Sequence, residues 1–111
     1  MIISSNQVSI KDFEKLDFRV GEIKSAEDHP NADKLLVLKV DVGEEIQLVA
    51  GIKNHYSKDE LIGKQIIVFT NLEPAVLRGV KSEGMLLAAE DGDKVVLISP
   101  EKNVGVGSRI R

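Results

Sequence analysis

The stretch NLEPAVLRGVKSEGMLLAAEDG, residues 71–92, gathers side chains able to hold an anion. Arg78 and Lys81 can pair with phosphates, and the Ser82 hydroxyl can donate to one. Met85 supplies a soft apolar contact for a sugar or base, although a methionine here also reads as a core residue. Gly79 and Gly84 let the backbone turn sharply or let a large partner approach closely. Turning alone would account for both glycines. The order Arg78-Gly-Val-Lys81-Ser82 leading into Met85 is what points to an anionic partner, while Leu86 and Leu87 are assigned to a strand and the core.

Other constellations do not suggest bond-making chemistry. Gly105-Val-Gly107 is too short for a phosphate loop and lacks the lysine that should follow. The carboxylate pairs Glu44-Glu45 and Asp91-Asp93 fall in apparent hairpin turns and read as solvated charge. His29 and Asp33 are four residues apart, but across a proline-containing turn, which removes the helical geometry of a metal pair. His29 therefore reads as a structural turn histidine. With no catalytic triad, metal cluster or acid/base pair, the chain reads as a non-catalytic binding module needing no cofactor.

The net charge of −3 hides an uneven distribution. Residues 21–45 carry Lys24, Lys34 and Lys39 against seven acids, whereas residues 46–82 carry five cations against Asp59, Glu60 and Glu73. Screening at physiological salt limits charge interactions to roughly 8 Å, so a polyanion feels the local patch rather than the total. There is no cysteine, hence no disulfide framework, which is compatible with a reducing cytoplasm. The opening MIISSNQVSIKDF has neither the charge pattern nor the apolar run of a signal peptide. No apolar run is long enough to span a membrane.

The elements that must position these groups follow from the pattern. Ser9 caps a short helix, IKDFEKL, with Ile10, Phe13 and Leu16 on one face. DFRVGEIKSAEDH is a long strand in which Gly21 marks a bend or bulge. HPNAD is a turn, and residues 35–42 form a strand with Lys39 and Asp41 outward. Gly43-Glu44-Glu45 then turns into IQLVAG to make a hairpin. Ser57 and Glu60 form a capping box opening one helical turn that Gly63 stops. His55 and Tyr56, just before it, are expected to pack that turn onto the barrel. KQIIVFTN is a further strand, MLLAA and KVVLIS pair across Glu90-Asp91-Gly92-Asp93, and the tail NVGVGSRIR offers one last short strand.

This is the order of an all-β, five-stranded OB-fold, a Greek-key barrel, with short N-terminal and inter-strand helices and a C-terminal strand extension. The reading is one domain over residues 1–111, with a core of about residues 12–90 and an extension of about residues 91–111. Lys53 and Asn54, between a strand end and the short helix, would rim the barrel mouth where such folds bind oligonucleotides. Lys34, following the HPNAD turn, would need no function as a solvated turn lysine.

Four motifs in one order, DFEKLDFRVGEI, HPNADKLLVLKVDVG, VAGIKNHYSKDELIGKQI and NLEPAVLRGVKSEGMLLAA, carry a specific resemblance. The chain resembles the tRNA-binding domain found in stand-alone tRNA-binding proteins and in methionyl-tRNA synthetases, as their C-terminal domain or β subunit. The resemblance runs from about Asp12 to Arg111. It implies an OB-fold, no catalysis, tRNA as partner, homodimerisation, and a possible methionyl-tRNA synthetase catalytic chain as a further partner. It also implies that Asn31 to Lys34 lie beside the RNA surface. One departure is that Glu73-Pro74-Ala75-Val76 stands where many members have a Lys-Pro-x-Lys-type segment, although Arg78 is kept.

Aromatic content indicates the mode of binding. Three Phe, one Tyr and no Trp leave no stacking platform for single-stranded bases, and Phe13, Phe18 and Phe69 fall in apolar patterns. The expected mode is shape reading, in which cations and hydroxyls contact phosphates and 2′-hydroxyls of a folded RNA. Two other readings stay open: a secretion-related chaperone sharing this barrel, and an architectural subunit that dimerises a synthetase.

Overall fold

Strand β1, Phe18–Asp28, organises the molecule because it pairs on both sides. In the computed structural model, which describes residues 6–111, its second half runs antiparallel to β2, Leu36–Asp41, and its first half antiparallel to β4, Gln65–Phe69. Met1–Ser5, within the stretch read as having no leader, lie outside the described residues. Strand β3, Glu45–Ala50, pairs with β2, and β7, Met85–Leu86, pairs with β4, giving the sheet order β3-β2-β1-β4-β7. The far edges nearly meet. The Glu83 N–H donates to the Gln47 carbonyl at 2.7 Å, and the Val49 N–H donates to Ser82 Oγ at 3.0 Å. The result is a nearly closed five-stranded antiparallel barrel of the expected OB type.

Period-two alternation explains the core. Leu36, Leu38 and Val40 of β2 and Ile46, Leu48 and Ala50 of β3 point inward, with Lys39 and Gln47 between them on the outer face. Lys39 Nζ donates to Gln47 Oε1 at 2.6 Å, a cross-strand pair directly in register. Ile23, Ile66 and Val68 from β1 and β4, with Ile52, Leu61 and Leu97, complete the buried cluster. The short helix α2, Lys58–Leu61, has the full reciprocal capping box and uses Leu61 to plug one end of the barrel. The Tyr56 ring packs on that cluster and its hydroxyl accepts from the Leu97 N–H at 3.0 Å, whereas His55 is exposed and does not share the packing role expected of it.

Several expectations change in detail. The first helix, α1, is Ile10–Glu14, and Ser9 Oγ accepts from the Asp12 N–H as its cap. Phe13 and Leu16 are partly covered, but Ile10 is 70% exposed, so the expected three-residue face is not buried as a unit. The β1 irregularity lies between Ile23 and Ser25, not at Gly21. Gly21 instead permits close packing, since a Cβ there would sit 2.7 Å from Val40 Cγ1. MLLAA is divided between β7 and β8, Ala88–Asp91, and β8 pairs with β9, Lys94–Leu97, around the expected turn. The tail makes only a single bridge, Arg19 with Arg109, rather than a strand. Backbone bonds from Gly107 to the Val20 carbonyl and from Ile110 to the Phe18 carbonyl lay it along the free side of β1.

The expected glycine-flexed loop is itself a hairpin. Strand β5, Ala75–Leu77, and strand β6, Val80–Ser82, form a separate two-stranded sheet with Arg78 and Gly79 at its tip.

Candidate nucleic-acid interface

The hairpin tip adopts φ of 53° at Arg78 and 91° at Gly79. Two successive positive φ values match the right-handed strand twist, so the turn is tight, but a side chain at the first position is unusual. Partners from the HPNAD turn hold it there. Asn31 Nδ2 donates to the Arg78 carbonyl at 3.2 Å, and Arg78 Nη2 donates to the Asn31 carbonyl at 3.3 Å.

Beneath this exchange lies His29, only 6% exposed. Its Nδ1 accepts from the Asn31 backbone N–H at 2.9 Å, and its Nε2 lies 2.9 Å from the Leu77 carbonyl. A backbone N–H can only donate and a carbonyl can only accept, so the ring is the neutral Nε2–H tautomer. The reading of His29 as a structural turn histidine agrees with this position, and the structure adds its partner, the hairpin.

The cationic run continues from the turn. Lys34 is exposed, and its carbonyl accepts from the Lys53 N–H at 3.4 Å, which places the two residues side by side. Lys53 Nζ is 3.4 Å from one Asp28 carboxylate oxygen and Lys58 Nζ is 3.1 Å from the other. The hydrogen bond from Lys58, reinforced by Lys53, holds the Asp28 carboxyl below the usual range. Asn54 is exposed on the same connection as Lys53. Among the described residues, the ion pairs take up Lys15, Arg19, Lys24, Lys53 and Lys58, and do not include Lys34, Arg78 or Lys81.

The remaining expected residues divide. Lys81 is exposed opposite Val76, two residues back from the tip, while its carbonyl accepts from Gln47 Nε2 at 2.8 Å. Met85 is 47% exposed and therefore is not a core side chain. It lines a shallow hollow of about 280 Å³ with Val49, Ala50, Gly51, Leu86 and Val95.

Ser82 is the correction. It is 5% exposed, its hydroxyl donates to the Gly84 carbonyl at 2.9 Å, and its oxygen accepts from the Val49 N–H. Its single proton is committed to the barrel seam, so it cannot serve as the expected phosphate donor. Gly84 likewise serves internal packing, because a Cβ there would lie 2.7 Å from the Phe69 carbonyl oxygen. Arg78, Asn31, Lys34 and Lys53 thus form one connected stretch, with Lys81 and Met85 on neighbouring elements. Sequence reasoning missed Asp28 and Lys58, since no spacing signal links position 28 to positions 53 and 58. Among the described residues no cluster of three or more His, Cys, Asp or Glu could hold a metal.

The three phenylalanines are engaged with one another. Ring centroids are 6.2 Å apart for Phe13 and Phe18 and 5.0 Å for Phe18 and Phe69.

A family model described as "Putative tRNA binding domain" matches residues 18–109, which include every element of this interface. The chain belongs to the tRNA-binding domain family. This tRNA-binding domain is 57% identical over 105 residues to the methionine–tRNA ligase of Thermococcus onnurineus, covering 94% of the chain and 14% of that ligase. It is 50% identical over 107 residues to the methionine–tRNA ligase of Methanocaldococcus jannaschii, covering 95% of the chain and 16% of the relative. The chain therefore spans about one seventh of the length of the ligases it matches. Among solved structures, a MetRS-related protein from Pyrococcus horikoshii superposes with a TM-score of 0.88 at 40% identity, over 96% of this chain and 99% of that one. The CsaA chaperone protein of Picrophilus torridus superposes with the same TM-score at 37% identity, over 95% and 100% of the two chains. The domain is thus related both to a segment of methionine–tRNA ligases and to CsaA proteins.

Proposed function

We propose that this chain binds tRNA by shape, as a single non-catalytic, homodimeric unit acting in the cytoplasm, either free or together with a methionyl-tRNA synthetase catalytic chain. The observation that carries the reading is the reciprocal hydrogen bonding of Asn31 and Arg78, which fixes a cationic hairpin tip against the turn that bears Lys34. A rigid set of cations, with the phenylalanines occupied among themselves, suits phosphate and sugar contacts on a folded RNA rather than stacking of loose bases. Glu73 and Ala75 at the base of the hairpin add no positive charge, so affinity rests on a few contacts. Exposed Val8 and Ile10, and a hollow lined in part by Phe13, Leu16 and Ile110, supply apolar surface for a second copy.

Titrating unmodified transcripts of several tRNAs tests this reading. Affinity is expected to be of about micromolar order and similar for each, with log K falling against log salt at a slope of about −2 to −4.5 for roughly three to five phosphates. Arg78→Ala or Lys81→Ala is expected to weaken every tRNA about equally while leaving the melting curve nearly unchanged. Strong discrimination between unrelated tRNAs would overturn shape reading, and a monomer in sedimentation at the binding concentration would overturn the dimer. A second reading, binding of unfolded polypeptide, is favoured by the hollow at Met85 and the likeness to CsaA. Capture from lysate separates the two, with tRNA or a methionyl-tRNA synthetase expected on one side and heterogeneous polypeptides on the other.

A further inference from the structure

We propose that His29 is a positioning residue for RNA binding: its neutral imidazole latches the 29–33 turn to the β5–β6 hairpin, and a proton added to it opens the latch and weakens the complex. This rests on the tRNA-binding reading above.

The hairpin needs such a latch. It forms its own two-stranded sheet, and among the described residues β5, exposed at all three positions, pairs with β6 and with no barrel strand. Its base is held by Lys81 and Ser82 against β3. Among the described residues, three side-chain bonds join its tip to the turn: His29 Nε2 to the Leu77 carbonyl, Asn31 Nδ2 to the Arg78 carbonyl, and Arg78 Nη2 to the Asn31 carbonyl. The first is made by the imidazole. The other two depend on Asn31, whose backbone N–H is itself bound to the same ring.

Both ring nitrogens are therefore used, one as donor and one as acceptor. Protonation makes both of them donors, and Nδ1–H would then point at the Asn31 N–H. The clash releases Asn31, and Arg78 loses the partners that keep it at a positive φ. The ionisable side chains on the packed elements are Glu27, Asp28, Asp33 and Lys34 beside the ring in sequence, and Arg78 and Lys81 on the hairpin. Asp28 is already engaged by Lys53 and Lys58.

The sign of the effect is diagnostic. Protons added to exposed groups such as His55 make the protein more positive and tighten its hold on a polyanion. The latch predicts the reverse.

Binding of one unmodified tRNA transcript would be measured at constant ionic strength from pH 7.5 to 5.5, for wild type, His29→Gln, His29→Ala and His55→Gln. Wild type and His55→Gln should both weaken as pH falls, by at most tenfold per pH unit for one proton. Glutamine keeps a donor for the Leu77 carbonyl without a titrating ring. His29→Gln should therefore bind within about fivefold of wild type at pH 7.5, the scale of one hydrogen bond, and lose the acid weakening. His29→Ala should bind more weakly than His29→Gln at pH 7.5. Tightening of wild type as pH falls, or an unchanged acid weakening in His29→Gln, would overturn the latch.

Nitrogen-detected NMR of the imidazole and of the Arg78 and Gly79 amides, on free protein, gives an RNA-independent readout. The latch requires the Nε2–H tautomer at pH 7.5 and hairpin-tip amides that shift with the His29 titration. Amides that ignore it would overturn the proposal. Absence of tRNA binding at every pH, with those amides still following His29, would overturn the tRNA reading and leave the latch standing.

Discussion

The Ser82 hydroxyl and the Lys81 ammonium are neighbours in sequence with opposite uses. Ser82→Ala would leave the buried Val49 N–H without its acceptor, and an unsatisfied buried donor costs about 1–3 kcal/mol. Chemical denaturation should show that loss, while tRNA affinity of the folded fraction should stay at the wild-type value. A reduced affinity with unchanged stability would restore Ser82 to the interface. The chain showed Arg78 and Lys81 as exposed cations, because charged side chains in a glycine-marked turn have few other places to go. It did not show which way Ser82 points, since a small hydroxyl beside a lysine suits either side of a strand. Once Val80–Ser82 is known to be a strand, exposure of Lys81 turns Ser82 inward by alternation. Met85 was open between core and surface, and it is exposed because β7 is only two residues long at the end of the sheet.

Elements with strong alternation were legible nearly to their ends. Strands β2, β3 and β4 and the capped helix α2 occupy the expected positions, because their apolar spacing and caps allow little else. The β5–β6 hairpin was hidden because its turn is Arg-Gly rather than Asn-Gly and its strands have three residues each. Glycines were legible as special but not in their reasons. Gly21 and Gly84 sit against neighbouring groups, whereas Gly105 has only Ser108 Oγ at 3.6 Å. Gly84→Ala should therefore destabilise by about 1–3 kcal/mol, the usual range for overpacking, because the Phe69 backbone cannot easily move aside. Gly105→Ala should change the melting midpoint little. Equal effects from the two substitutions would show that the β4–β7 seam is looser than its geometry.

For the whole molecule, three carboxylates couple stability to pH with the same sign. The Arg19 hydrogen bond holds Asp17 low, the Lys58 hydrogen bond holds Asp28 low, and the Ser57 backbone N–H holds Glu60 low. Each folded value is depressed below the unfolded one, so each contributes stability above the ordinary carboxylate range and loses it as pH falls through the folded value. Lys24 is raised by its hydrogen bond to Glu22, so its contribution is present below the ordinary lysine value of 10.5 and fades above it. The urea midpoint should fall on the acid side, and Asp17→Asn should flatten the acid limb. An acid limb unchanged in that variant would remove Asp17 from the balance. The tail along β1 has a separate bearing on solubility. Residues 107–110 occupy main-chain donors and acceptors of Phe18 and Val20 that would otherwise face water as a ready template for another strand. A copy trimmed of those residues would keep its barrel yet carry an adhesive margin, and its characteristic failure would be fibril growth rather than unfolding.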